Sequence, residues 1–198
     1  MRAAPGTAVK ARPERAGMRY PGGMSEHATA IVVMGVSGVG KTTVARALAE
    51  RLGGVFVEAD DLHSPQARAS MAAGTPLSDA DRLPWLRRVG RRIAQVQAAG
   101  DLPVVACSAL RRRYREALAA HGGEVAFVHL SAGPELLGAR LATRTGHFMP
   151  ASLLGTQLAT LEPLGADERG AVVPATGSVA EVTDAAEAAA RSLLAPQR

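Results

Sequence analysis

Residues 30–52 read AIVVMGVSGVGKTTVARALAERL, and the architecture turns on this stretch. Ala30 to Gly35 is an unbroken apolar run bounded by glycine, the pattern of a strand buried on both faces of a parallel sheet. From Lys41 onward, Val44, Ala45, Leu48 and Leu52 recur at helical spacing until Gly53-Gly54 ends the helix. Between the two, Gly35-Val36-Ser37-Gly38-Val39-Gly40-Lys41-Thr42 fits the pattern G-x-x-x-x-G-K-[ST]. The flanking strand and helix are what turn the pattern into evidence. Its glycines let backbone N–H groups turn towards phosphate oxygens, and the helix N-terminus adds positive potential. Lys41 sets a point charge on the β- and γ-phosphates of ATP, and the Thr42 hydroxyl can ligate Mg²⁺. Thr43 is grouped with them as the next residue of the same turn.

Outward from this unit the chain alternates short apolar runs with longer helical patterns, which predicts an α/β fold with helices on both faces of a parallel sheet. Further strands are predicted at Val55–Ala59, Leu102–Cys107, Val125–Leu130 and Ala171–Val173. Helices are predicted at 64–74, 81–99 with Pro84 near the first turn, 112–121, from Pro134 towards Arg144, near 151–161, and 181–194. Five parallel strands with crossover helices follow, in one domain over residues 29–198. No repeat or long linker divides it.

Composition bounds the partners. The 198 residues are 47% hydrophobic and 21% charged, enough apolar surface for a core. No run approaches the roughly 18 apolar residues of a membrane span. The lone Cys107 excludes an internal disulfide and fits a reducing compartment, hence the cytoplasm. The net charge of +5 suggests nucleic acid until it is located. Residues 1–27 carry +3 of it, in a segment with Pro5, Pro13 and Pro21 and no apolar period. Residues 1–28 therefore read as a disordered basic leader, with no specific nucleic acid partner implied. Lys41 is the only lysine after residue 10 in a chain with 21 arginines, which sets it apart.

The class of nucleotide chemistry narrows by omission. The third strand ends in Ala106-Cys107-Ser108 without the metal-holding Asp of a motor or switch protein, and the chain has no Asn for a guanine clamp. A small-molecule kinase remains. Carboxylates follow the second strand in Glu58-Ala59-Asp60-Asp61-Leu62-His63, at the sheet end that faces the phosphate loop. They suit a proton acceptor for an attacking hydroxyl or a support for the metal. The same cluster also fits a solvated acidic turn capping the next helix, and spacing does not separate the two.

The segments GVSGVGKTTVA (35–45), ADDLH (59–63), the run from Met71 to Leu86, CSALRRRYR (107–115), the Arg140–Phe148 stretch and the Leu154–Glu162 run resemble the gluconokinases, small kinases related to shikimate kinase. The likeness spans about residues 30–173, nearly all of the expected domain. It implies a three-layer P-loop kinase fold with a mobile lid and a substrate-binding helical insert. It also implies transfer of the ATP γ-phosphate to the terminal hydroxyl of D-gluconate, and relatives are often homodimers. Asp60 falls at the carboxylate nearest the acceptor hydroxyl. Glu58 stands where relatives often have Asp and supports the metal, Asp61 reads as a helix cap, and Leu77-Ser78 departs from a frequent Leu-Asn pair that offers the substrate an amide.

An open-chain sugar acid needs cations and hydrogen-bonding groups. Arg82, Arg111, Ser108 and His63 supply them, with His147 as a further candidate. Arg82 equally fits a surface ion pair with Asp79 or Asp81, and either histidine fits a packed or solvent-facing role. Arg144 borders the expected lid and is assigned to the transferring phosphoryl group, and Arg140 to the nucleotide. Trp85 reads as core, and Pro174–Gly177 as a backbone seat for adenine. A kinase for another sugar acid, shikimate or adenylylsulfate, or a nucleotide-binding interaction protein, are the competing readings.

Overall fold

The computed structural model describes residues 29–75, 77–121, 123–142 and 153–196. Strands β1 (Ala30–Met34), β2 (Val55–Glu58), β3 (Pro103–Ala106), β4 (Val125–Ser131) and β5 (Gly170–Pro174) form one sheet in the order β2-β3-β1-β4-β5. Every pairing is parallel, with Val32 of β1 opposite Val105 on one side and Phe127 on the other. The five residues of β1 are all buried. Ile31 and Val33 enter the layer beneath α1 (Lys41–Leu52) and α7 (Val179–Leu194), with Leu48, Val182 and Ala186. Ala30, Val32 and Met34 face α3 (Asp79–Ala98) and α4 (Arg112–Ala119), with Leu86, Ile93 and Leu118. Burial on both faces explains why this strand carries no polar alternation.

The order places β1 between β3 and β4, so their carboxyl ends converge on the phosphate loop. Element boundaries lie close to the sequence expectation, with instructive exceptions. Strand β2 stops at Glu58 because Ala59–Leu62 coil into one 3₁₀ turn. Asp61 lies within that turn and caps nothing. The cap of α2 (Pro65–Ala72) is Ser64, whose Oγ accepts the Ala67 N–H at 3.1 Å. Helix α3 begins at Asp79, two residues early, because Ser78 and Asp81 form a reciprocal capping box. Pro84 consequently sits in the second turn, where it removes the helical donor to Ala80. Ser78 therefore serves as the N-cap of α3. Helices α5 (Pro134–Ala142) and α6 (Leu153–Thr160) flank residues 143–152. The expected lid residues Arg144 and His147, like the leader 1–28, lie outside the described residues.

Candidate active site

The phosphate loop is shaped by what its glycines avoid. Gly35 has φ +137°, and a Cβ there would stand 2.6 Å from the Leu130 carbonyl oxygen of β4. Gly38 has φ +82°, with a Cβ position 3.0 Å from Leu141 of α5. Only glycine meets both demands. The side chains of Val36 and Val39 are buried in the core, which leaves the main chain as the part of these loop residues that a phosphate could meet. Lys41 Nζ donates to the Val36 carbonyl at 3.1 Å, which folds the ammonium over the loop. Thr42 Oγ1 donates to Glu58 Oε2 at 2.8 Å. Burial pushes the Glu58 carboxyl above its ordinary value, and the Thr42 bond opposes that shift.

Two adjoining clefts open at this end of the sheet. The first is lined by Ser37, Gly38, Gly40, Lys41, Thr42 and Thr43 of the loop and α1, with Glu58, Asp60, Ala106 and Arg140. The second is lined by His63, Met71, Leu77, Arg82 and Trp85 from the segment between β2 and β3. Ser108, Leu110 and Tyr114 follow β3, and Thr156, Gln157 and Thr160 come from α6. Ser37, Lys41 and Asp60 line both. Phosphate groups in the first cleft and a hydroxyl in the second would therefore meet beside Asp60, whose side chain is 66% exposed.

The second cleft is cationic at one wall. Arg82, Arg111 and Arg113 all lie within ion-pair distance of Asp79, and the Tyr114 hydroxyl donates to the same carboxylate. These partners hold the Asp79 carboxyl below its usual range, the Tyr114 bond foremost. Three guanidinium groups around one carboxylate leave a surplus of positive charge, and Arg82 carries it to the cleft lining. Arg111 occupies the N-cap position of α4 without a side-chain cap bond, pairs with Asp79 at 3.4 Å, and is outside the lining of either cleft.

His63 is 6% exposed and stacks on Trp85, ring centroids 4.1 Å apart. Trp85 in turn donates its indole N–H to the Ala59 carbonyl at 2.7 Å, which fixes the turn bearing Asp60. Trp85 is core, as expected, but it also lines the cleft. Burial pushes the His63 imidazole down to about 4, so the ring is neutral at physiological pH. Its Nε2 lies 4.0 Å from Asp60 Oδ1, too far for a direct hydrogen bond. After β5, the Ala175 N–H donates to the Ser131 carbonyl at 2.7 Å, so that amide is not offered to an adenine base.

Sequence reasoning gave no role to Tyr114, Gln157 or Arg115. Gln157 Oε1 accepts the Ser37 N–H at 2.7 Å across 120 positions of chain. Arg115 is 1% exposed and binds the Glu168 carboxylate through Nε at 2.6 Å and Nη2 at 2.8 Å. Its guanidinium also donates to the carbonyls of Ala109, Leu110, Glu162 and Pro163. Ala109, at φ +45°, is the one non-glycine residue with positive φ among the described residues. No local period marks such contacts. The only signal is Arg115 itself, an arginine on the helix face shared with buried Leu118.

The family described as AAA domain matches residues 31–164. The gluconokinase of Gluconobacter oxydans is 50% identical over 152 residues, 73% of this chain and 85% of its own length. The thermosensitive gluconokinase of Escherichia coli is 38% identical, over 77% of this chain and 82% of its own length. The crystal structure of a gluconokinase from Sinorhizobium meliloti superposes with a TM-score of 0.76 at 43% identity, covering 86% of this chain and 95% of that one. Identity at this level over most of both chains, together with a phosphate loop opening on a cationic second cleft, means that the chain belongs to the gluconokinase family.

Proposed function

We propose that the chain transfers the γ-phosphoryl group of ATP to the terminal hydroxyl of D-gluconate, giving 6-phospho-D-gluconate and ADP. The observation that carries this reading is the convergence of the two clefts on Ser37, Lys41 and Asp60. The loop amides and Lys41 hold the phosphates, with Arg140 at the rim of the same cleft. The acceptor lies in the second cleft with its carboxylate drawn to Arg82 and the surplus charge behind it, and with Ser108 and neutral His63 as hydrogen-bonding neighbours.

Its terminal oxygen then attacks the γ-phosphorus while its proton passes to Asp60. The bond from the γ-phosphorus to the bridging oxygen breaks, and ADP leaves with that electron pair. Roles for Arg144 on the transferring group and His147 on the acceptor belong to the same proposal.

Thr42 and Glu58 offer hard oxygen donors side by side, which fits Mg²⁺. Among the described residues no cluster of three or more His, Cys, Asp or Glu side chains stands ready to cage a metal. Mg²⁺ does not require one, because it keeps waters and shares phosphate oxygens. When bound it neutralises charge on the β- and γ-phosphates. The reading also carries a homodimer and a cytoplasmic address, the latter supported by the single buried thiol of Cys107.

ADP release coupled to a dehydrogenase tests the reading, with D-gluconate, shikimate and adenylylsulfate as alternative acceptors. Turnover is expected with gluconate alone, with 6-phosphogluconate identified by mass. Equal ATP hydrolysis with and without a sugar acid refutes it.

A further inference from the structure

The proposed reaction gives the acceptor carboxylate to Arg82, and a guanidinium grips a carboxylate well only where its planar fork is held in place. Arg82 has little to hold it on its own helix. Its side chain is 29% exposed, and among the described residues it makes one side-chain hydrogen bond, from Nη1 to the Tyr114 hydroxyl at 3.2 Å. Asp79 Oδ1 lies 4.0 Å from the same nitrogen, beyond hydrogen-bond reach.

Tyr114 is anchored far better. It is 3% exposed, belongs to the core layer of Leu86 and Leu118, and still lines the second cleft. Its hydroxyl donates to the Asp79 carboxylate. A hydroxyl has one proton and two lone pairs, and an ionised carboxylate only accepts, so the proton is committed to Asp79 and a lone pair turns to Arg82. Asp79 is fixed in turn by Arg111, at 3.4 Å, and by Arg113. Helices α3 and α4 approach closely at Gly90, where a Cβ would stand 3.0 Å from the Leu118 carbonyl oxygen. The guanidinium carbons of Arg82, Arg111 and Arg113 lie 5.8, 6.0 and 5.5 Å from the Tyr114 ring centroid. Three like charges so gathered repel one another, and the bond from Arg82 to the Tyr114 hydroxyl opposes its drift away from the other two.

We infer that Tyr114 is the positioning residue of the acceptor cleft: its hydroxyl, oriented by Asp79, holds the Arg82 guanidinium where it receives the carboxylate of the sugar acid. The inference rests on the acceptor assignment of the preceding section. A residue that acts only through Arg82 has nothing left to position once that guanidinium is gone, so the effects of the two on gluconate binding do not add. Loss of a hydrogen bond to a charged group corresponds to about a tenfold change in binding.

Steady-state kinetics on the full chain, with saturating Mg²⁺ and ATP and with D-gluconate varied, read this as a double-mutant cycle. Tyr114→Phe keeps the ring and the charge of the site and removes only the hydroxyl. It is expected to raise the gluconate KM about tenfold with kcat within about threefold of wild type. Arg82→Met is expected to raise that KM about a hundredfold, and the double variant no further than Arg82→Met alone. Calorimetric titration of gluconate gives the same cycle in Kd should a variant turn over too slowly. Asp79→Asn replaces Tyr114→Phe should the latter fold poorly. Removing a negative charge would by itself tighten an anion, so a KM that rises in that variant reports the lost anchor, and one that does not rise overturns the inference. A gluconate KM within twofold of wild type in Tyr114→Phe, or single effects that multiply in the double variant, also overturns it. An Arg82→Met variant with the wild-type KM takes Arg82 off the acceptor and overturns the inference while gluconate turnover stands. A wild type that does not turn over gluconate overturns the acceptor assignment and this inference with it.

Discussion

Replacing Arg115 by Met removes both bonds to the Glu168 carboxylate, leaving only the more distant Arg112 cation to act on it, and takes the guanidinium donors from the Ala109, Leu110, Glu162 and Pro163 carbonyls. The Arg115 side chain is 1% exposed and that of Glu168 10%, so water does little to compensate. Breaking a buried ion pair from one side costs about 3–5 kcal/mol, a large part of a domain stability of about 5–15 kcal/mol. For a chain of this size that corresponds to a fall in Tm of roughly 6–20 °C. Equilibrium urea unfolding should show the midpoint falling at unchanged slope.

Arg115 also holds the Glu168 carboxyl below its ordinary value. Its contribution is therefore present above the ordinary carboxylate range and lost as pH falls through the depressed value. The variant should lack that share of acid destabilisation. Arg115→Met combined with Glu168→Leu should recover more than half of the loss, because no charge is then left buried alone. A single variant within 1 kcal/mol of wild type, or a double variant worse than the single, refutes the reasoning.

Lys41→Ala should reduce gluconate turnover about a thousandfold with Tm nearly unchanged, since the ammonium lies on the loop surface of a cleft; near-normal turnover in a folded variant refutes the phosphate role. Asp60→Asn should lower kcat far more than it raises the gluconate KM, because the amide keeps size but cannot take the proton; a pure KM effect would make Asp60 a positioning residue. His63 is neutral down to about pH 4 when folded, against an ordinary value of 6.5. Its burial therefore contributes fully above about pH 6.5 and is lost as pH falls towards 4, on the order of 3 kcal/mol in all. Urea midpoints measured from pH 7.5 to 4.5 should fall more steeply for wild type than for His63→Phe, and equal slopes count against the buried neutral ring.

What the sequence determined by itself is what short-range chemistry writes into consecutive residues. The apolar run at Ala30–Met34, the glycines at 35, 38 and 40, Lys41-Thr42 and the helical period to Leu52 each follow from backbone sterics and local periodicity. Together they predict a parallel sheet with a phosphate loop, and the carboxylates after β2 fall at the same end of that sheet, where Asp60 lines the cleft beside the loop. Caps were the first point of slippage. Ser64 rather than Asp61 caps α2 because its hydroxyl reaches the third amide, and Ser78 together with Asp81 starts α3 two residues before the expected position.

Only the tertiary structure decided the order β2-β3-β1-β4-β5, the gathering of three arginines on Asp79, the stacking of His63 on Trp85, and the bonds from Arg115 and Gln157. Gln157 and Ser37 are 120 positions apart, and Arg115 and Glu168 are 53 apart. Such pairs leave no periodic trace, because neither partner's local conformation depends on the other. They come together only when the sheet assembles and its loops share one end, and the second cleft is lined by segments brought together in that way.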